Sequence, residues 1–183
     1  MSVPFKDAAE LDAGGTAAYL RLVPGQGDRR RGAALFQVNA RGAPVEFTYN
    51  RLDLPDEALW RPEQLEREAA KALARSLFEA ARRTPLVLIC LADEIDAALL
   101  ARDLEVQIPV CRVAVQAGGG PFDTTSVERV ASGDATAHLF WRPALPSVES
   151  PPRRLVTTLA ARGLLLEPFE RAVAGFHEAF AGT

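Results

Sequence analysis

Apolar and polar positions alternate from Ala18 to Val23 (AYLRLV), the period-two pattern of a half-buried strand. The stretch Pro24-Gly25-Gln26-Gly27-Asp28 breaks it. Ala33 to Asn39 and Pro44 to Arg51 predict two more strands around Arg41-Gly42, where glycine offers the positive φ of a tight turn. Three consecutive antiparallel strands therefore open the domain. The period then changes to helical. Pro62 suits a first helical position and Thr84-Pro85 a stop, and between them Leu65, Ala69, Leu73, Leu77 and Ala81 recur every four residues. Ala72, Ser76 and Ala80 widen that stripe, while Glu63–Arg67 and Glu79–Arg83 line the other face at i,i+4.

Leu86 to Leu91 is apolar at every position, as in a strand covered on both faces. A short helix from Glu94 to about Arg102 separates it from the strand Ile108 to Val115, and this strand–helix–strand order implies a right-handed crossover between parallel neighbours. Gly118-Gly119-Gly120-Pro121 reads as a loop. Ser126 to Ala131 and Ala135 to Trp141 read as a second hairpin. Four prolines between Pro143 and Pro152 precede two helices, Pro152 to Arg162 and Pro168 to Phe180, parted by Gly163. The expected fold class is α/β. A mixed sheet joins the N-terminal meander to a βαβ unit, one long helix covers it, and a C-terminal helix pair is appended. Residues 1–16 are expected to be a flexible lead-in and residues 17–142 the α/β domain. Residues 143–183 are the Pro-rich connection and a helix pair packed on the same domain.

Composition changes this picture little. The 183 residues, 48% apolar and 25% charged, fit one globular domain whose core needs no disulfide or structural metal. Cys90 and Cys111 lie inside apolar runs, so two inert thiols are expected. Met1 to Gly15 contains no apolar core of a signal peptide and no run approaches membrane-spanning length, which predicts a cytoplasmic chain with no membrane partner. A net charge of −3 gives no global attraction to polyanions. All the basic residues except Lys6 and Lys71 are arginines, so any cluster offers forks matched to phosphate.

Two places carry candidate chemistry. Asp93 and Glu94 follow the buried strand, where open α/β sheets place their sites. Two carboxylates there suit a divalent cation, and they equally suit a helix N-terminus, with Asp93 as the cap. Arg29, Arg30 and Arg31, with Arg41 and the pair Arg82-Arg83, form a phosphate-contacting patch if the first two loops point the same way, and a solvated hairpin tip if they do not. The glycine runs match no phosphate-loop or dinucleotide fingerprint. His177-Glu178 lacks the second histidine of a zinc motif, since position 181 is Ala181.

The element order over residues 17–116 resembles the ribonuclease H-like fold: three antiparallel strands, a helix, a strand ending in acids, then helix and strand. That resemblance implies metal-binding acids on the first strand, the first helix and the end of the fourth strand. Asp93 or Glu94 matches the last of these, and Glu66 or Glu68 loosely matches the helix position. The first strand carries Arg21 and no carboxylate. On the residues alone, the leading expectation is a non-catalytic binding or scaffolding domain within a larger assembly, with no cofactor and no metal. Its expected partners are nucleic acid, and a protein or a second copy bound through Phe169, Val173, Phe176 and Phe180. The alternative is a metal-dependent phosphodiesterase of ribonuclease H-like topology using Asp93, Glu94, Glu66 and Glu68, so whether the chain is an enzyme stays open.

Overall fold

The computed structural model describes residues 14–24, 29–55, 60–114, 127–132 and 135–181. The expected loop at Gly118-Gly119-Gly120, the Gly25-Gln26-Gly27 stretch and most of the lead-in lie outside these residues.

The meander forms as its alternation dictates. Strands β1 (Ala17–Pro24), β2 (Arg30–Val38) and β3 (Pro44–Asp53) pair antiparallel, and Gly42 turns the second hairpin at φ +76°. Helix α1 (Pro62–Ala80) leads to β4 (Val87–Leu91), which pairs parallel with both β1 and β5 (Val110–Ala114). Strands β6 (Val127–Ser132) and β7 (Ala135–Arg142) form the expected second hairpin, with β7 antiparallel to β5. The resulting sheet has seven strands in the order β3-β2-β1-β4-β5-β7-β6. Its first five positions, with their directions, are the ribonuclease H-like topology. Helices α2 (Pro151–Ala161) and α3 (Glu167–Phe180) complete the chain.

The central strands are apolar on both faces, and both faces are covered. Ala18, Leu20, Leu88 and Cys90 pack with Leu73 and Leu77 of α1. Tyr19, Val23, Ile89 and Val113 pack with Leu155, Leu159, Phe169 and Phe176 of α2 and α3. The C-terminal pair is therefore no appendage. It closes the second face of a three-layer sandwich, which a strand like β4, with no polar side, requires.

This corrects the expected partner surface. Phe169 and Phe176 are buried on the chain's own sheet, and Val173 is half-buried beside them. Phe176 lies so close over β2 that a Cβ on Gly32 would fall 2.1 Å from its ring. Phe180 packs against Phe176 and Tyr49, at 4.9 and 5.3 Å between ring centres, with the Arg51 guanidinium 4.2 Å above its own ring. The stripe is spent inside the molecule.

Helix α1 buries Leu65, Ala69, Leu73, Ala74 and Leu77, while Ala72 and Ala80 face solvent. Arg67 pairs with Asp103 at 2.7 Å, an acid that sequence spacing does not bring near it. The short helix expected from Glu94 begins later. Residues 92–94 are a turn, closed by the Ile95 amide donating to the Leu91 carbonyl at 3.1 Å, and a π-helical turn spans Leu99–Asp103. The capping acceptor is consequently Asp96, whose carboxylate takes the Ala98 amide at 3.0 Å, and not the exposed Asp93.

Cys90 and Cys111 are free and fully buried, on adjacent strands but on opposite faces of the sheet. Burial pushes the Cys90 thiol up to about 12 and the Cys111 thiol well above its ordinary range. Since the thiolate is the reactive form, both should label at least about 100-fold more slowly in the native protein than after unfolding. Following a colorimetric thiol reagent with and without denaturant checks this, and rapid native labelling of either cysteine would contradict it.

Candidate functional site

Because β1 and β4 run parallel with Leu20 opposite Cys90, their carboxyl ends open at one edge of the sheet. Two arginines organise that edge. Arg112 of β5 donates from Nε to the Ile95 carbonyl (2.9 Å) and from Nη2 to the Ala92 carbonyl (2.7 Å), clamping the turn that carries Asp93 and Glu94. Arg21 of β1 donates from Nη1 to Glu94 Oε1, forming an ion pair whose side chains are only 22% and 23% exposed. Arg21 Nε is buried without a hydrogen-bond acceptor in the protein. Glu94 is held above the usual carboxylate range by burial, which outweighs the opposing pull of the Arg21 guanidinium and the Leu22 backbone amide.

Arg21 follows Tyr19 on the face covered by α3, and there it lines a cleft of about 520 Å³. Leu91 of β4 borders the cleft, and Leu166, Phe169, Glu170, Val173 and Ala174 form its helical wall. Glu170 is exposed at the rim. By helical periodicity His177, also exposed, follows two turns beyond it on the same side of α3. Sequence reasoning missed Glu170. Its position, i+4 from Leu166 and i+3 before Val173 on a helix that crosses the sheet edge, was the available signal, and nothing in the sequence says which strand ends that helix meets.

The expected acids do not assemble. Helix α1 lies on the opposite face of the sheet from the cleft. Glu66 there receives Arg31 Nε at 2.8 and 3.0 Å, and Glu68 pairs with Lys71 at 3.6 Å. Asp93 is exposed on the clamped turn, next to Glu94. Of the four, only Asp93 and Glu94 share a location. A pair of catalytic cations needs three or more ligands converging. Among the described residues no group of three His, Cys, Asp or Glu comes together, and Glu94 is engaged by the guanidinium of the cleft-lining Arg21. These residues do not fit a two-metal centre.

The arginine patch divides as well. Arg30 and Arg31 begin β2, with Arg31 opposite Pro24 at the same edge as the cleft. Arg29 donates to the Leu54 carbonyl at 3.4 Å, Arg30 to Asp53 at 3.2 Å, and Arg31 to Glu66. Arg41 sits in the turn at the far end of β2, more than about 20 Å away at 3.4 Å per residue. The first two connections point in opposite directions, so Arg41 is not part of one surface with the other three. His138 is half-buried in β7, away from His177 on α3. Among the described residues no helix is long and apolar enough to cross a membrane.

No protein-family model matches the sequence, and no curated protein sequence matches it significantly. Solved structures do share its architecture. Endonuclease V from Bacillus subtilis superposes with a TM-score of 0.58 at 13% identity, over 92% of this chain and 81% of that one. Endonuclease V from Streptomyces avermitilis gives 0.58 at 11% identity, over 100% of this chain and 95% of that one. Identity this low establishes the fold alone. The scaffolding expectation is corrected at the level of fold: the two structures that superpose on this chain are both nucleases.

Proposed function

We propose that this chain acts on nucleic acid as a phosphodiesterase, with the Arg21 cleft as its working site. The observation that carries this reading is the juxtaposition, at the carboxyl ends of β1 and β4, of a guanidinium, a carboxyl group with a raised pKa and an open cleft. The likeness to two endonuclease V structures supports it at the level of fold. Arg30, which alternates with Gly32 onto the face covered by α3, stands at the same edge of the sheet, whereas Arg31 turns to Glu66 on the other face.

The chemistry is hydrolysis of a P–O ester bond. Water attacks phosphorus, its proton passes to a carboxylate, and the leaving oxygen takes a proton as its bond to phosphorus breaks. Arg21 N–H groups face the non-bridging oxygens, where negative charge builds in the transition state. Glu170, exposed at the rim, is placed to accept the proton of water. Glu94 holds the Arg21 guanidinium at the cleft until the phosphate takes its place, and solvent supplies the proton to the leaving oxygen. Arg112 fixes the turn on which Glu94 rides and acts as a positioning residue.

End-labelled single-stranded DNA, duplex DNA and RNA, incubated separately with the full chain, test the reading. Cleavage of at least one is expected, and Glu170→Gln should slow it by about 100-fold or more, the usual worth of a general base. Because Glu170 is exposed, that variant should melt with the wild type. Failure to cleave or retain any of the three, with and without added magnesium, would overturn the assignment.

A further inference from the structure

We infer that the cleft binds a phosphate group without a divalent cation, because the Arg21 guanidinium fills the cation's place. This deepens the proposed function and rests on it for the phosphate's source in a nucleic acid backbone. The argument begins with what the strand ends supply. Strand β1 contributes a fixed positive charge to the edge through Arg21, and its partner across the gap is the half-buried Glu94. A divalent ion could meet Glu94 only at Oε2, which has no hydrogen-bond partner in the protein, and there it would lie beside the guanidinium held on Oε1. Coulomb repulsion opposes this strongly in a partly buried site. Asp93 and Glu170 are exposed, and with Glu94 they form no converging set of three among the described residues.

Arg21 also has capacity to spare. Its Nη1 serves Glu94, whereas its Nε is buried with no acceptor in the protein, an arrangement that is costly unless a ligand meets it. A guanidinium presents N–H groups in a planar fork that matches two oxygens of a phosphate. Arg112 on β5 is committed to two backbone carbonyls on the turn, and Arg30 and Arg31 pair with Asp53 and Glu66. Arg21 is therefore the charge that lines the cleft, and Glu94 is a tethered internal anion that a phosphate competes with.

Competition gives the two partners opposite signatures. Inorganic phosphate, titrated into the full chain in the presence of EDTA and followed by amide chemical shifts, should give a saturable response at residues around β1 and α3. Arg21→Gln should weaken that binding by at least about 10-fold, as expected for loss of a charge-assisted bidentate contact. Glu94→Gln, which frees the guanidinium, should tighten it several-fold. Manganese, followed in parallel by paramagnetic resonance, should show no stoichiometric binding. The inference is overturned by absence of a saturable phosphate response, by a requirement for metal, or by stoichiometric manganese that Glu94→Gln abolishes. Should Arg21→Gln fail to fold, the direction of the Glu94→Gln effect decides alone, because a metal ligand's loss would weaken binding instead. Phosphate binding in EDTA by a protein that cleaves no oligonucleotide supports the metal-free site and overturns the phosphodiesterase reading. Strictly metal-dependent cleavage does the reverse.

Discussion

Truncating Leu88 to alanine is expected to lower the stability of the fold by about 2–5 kcal/mol. Leu88 is 1% exposed on the central parallel strand, opposite Ala18 on one side and Val110 on the other. It packs into the layer that holds Leu73 and Leu77 of α1. It also borders a pocket of about 210 Å³, partly open to solvent and lined by Leu35, Phe78, Pro85 and Ile108 among others. Urea unfolding followed by far-ultraviolet circular dichroism measures the loss. Val148, 64% exposed in the connection before α2, is the control, and Val148→Ala should change stability by no more than about 0.5 kcal/mol. A loss at Leu88 no larger than the control's would mean that β4 does not run through the core.

Replacing Arg21 by methionine should cost about 2–4 kcal/mol at neutral pH, somewhat less than the loss of one partner from a fully buried ion pair. Methionine keeps most of the apolar stem, so the cost falls chiefly on the stranded Glu94 carboxylate. The pH dependence follows from its titration. Burial already raises the pKa of Glu94 in the folded protein, and removing the guanidinium removes the largest influence that lowers it. A group whose folded pKa is raised contributes stability below its unfolded value, about 4.3 for glutamate, and loses that contribution as pH rises through the folded value. The deficit of Arg21→Met should therefore be smallest near pH 4 and grow toward pH 8, levelling off above the folded pKa. Unfolding free energies measured across that interval check the slope. A deficit independent of pH would assign the loss to packing of the arginine stem and remove Glu94 from the account.

Much of the fold was legible in the chain because burial is periodic. The alternation in Ala18 to Val23, the four-residue stripe in α1 and the unbroken apolar run of β4 each state how many faces an element hides. The turn glycine Gly42 and the prolines Pro62 and Pro85 mark where elements begin and end. The parallel pairing of β4 with β5 followed from the short connection and the handedness of the crossover, whereas the pairing of β4 with β1 that joins the meander to it did not. The site was much less legible. Asp93 and Glu94 were identifiable as acids at a strand end, but the turn at residues 92–94 shifts the helical run onward and gives the capping role to Asp96. The arginine run looked like one patch with Arg41 until the length of β2 separated them.

The sequence by itself determined most of the elements, the covered strands and the burial of the two thiols, since local periodicity and apolar character are properties of consecutive residues. Only the tertiary structure decided which charges meet. Arg21 and Glu94 are 73 residues apart, and Arg31 and Glu66 are 35 apart. Glu170 reaches the cleft because α3 packs across β1. Electrostatic pairing depends on distance in space and on the local dielectric, and neither is carried by spacing along the chain. The same two glutamates on α1 that fitted a metal site by order of elements lie on the other face of the sheet from the cleft, where Glu66 engages Arg31 and Glu68 engages Lys71.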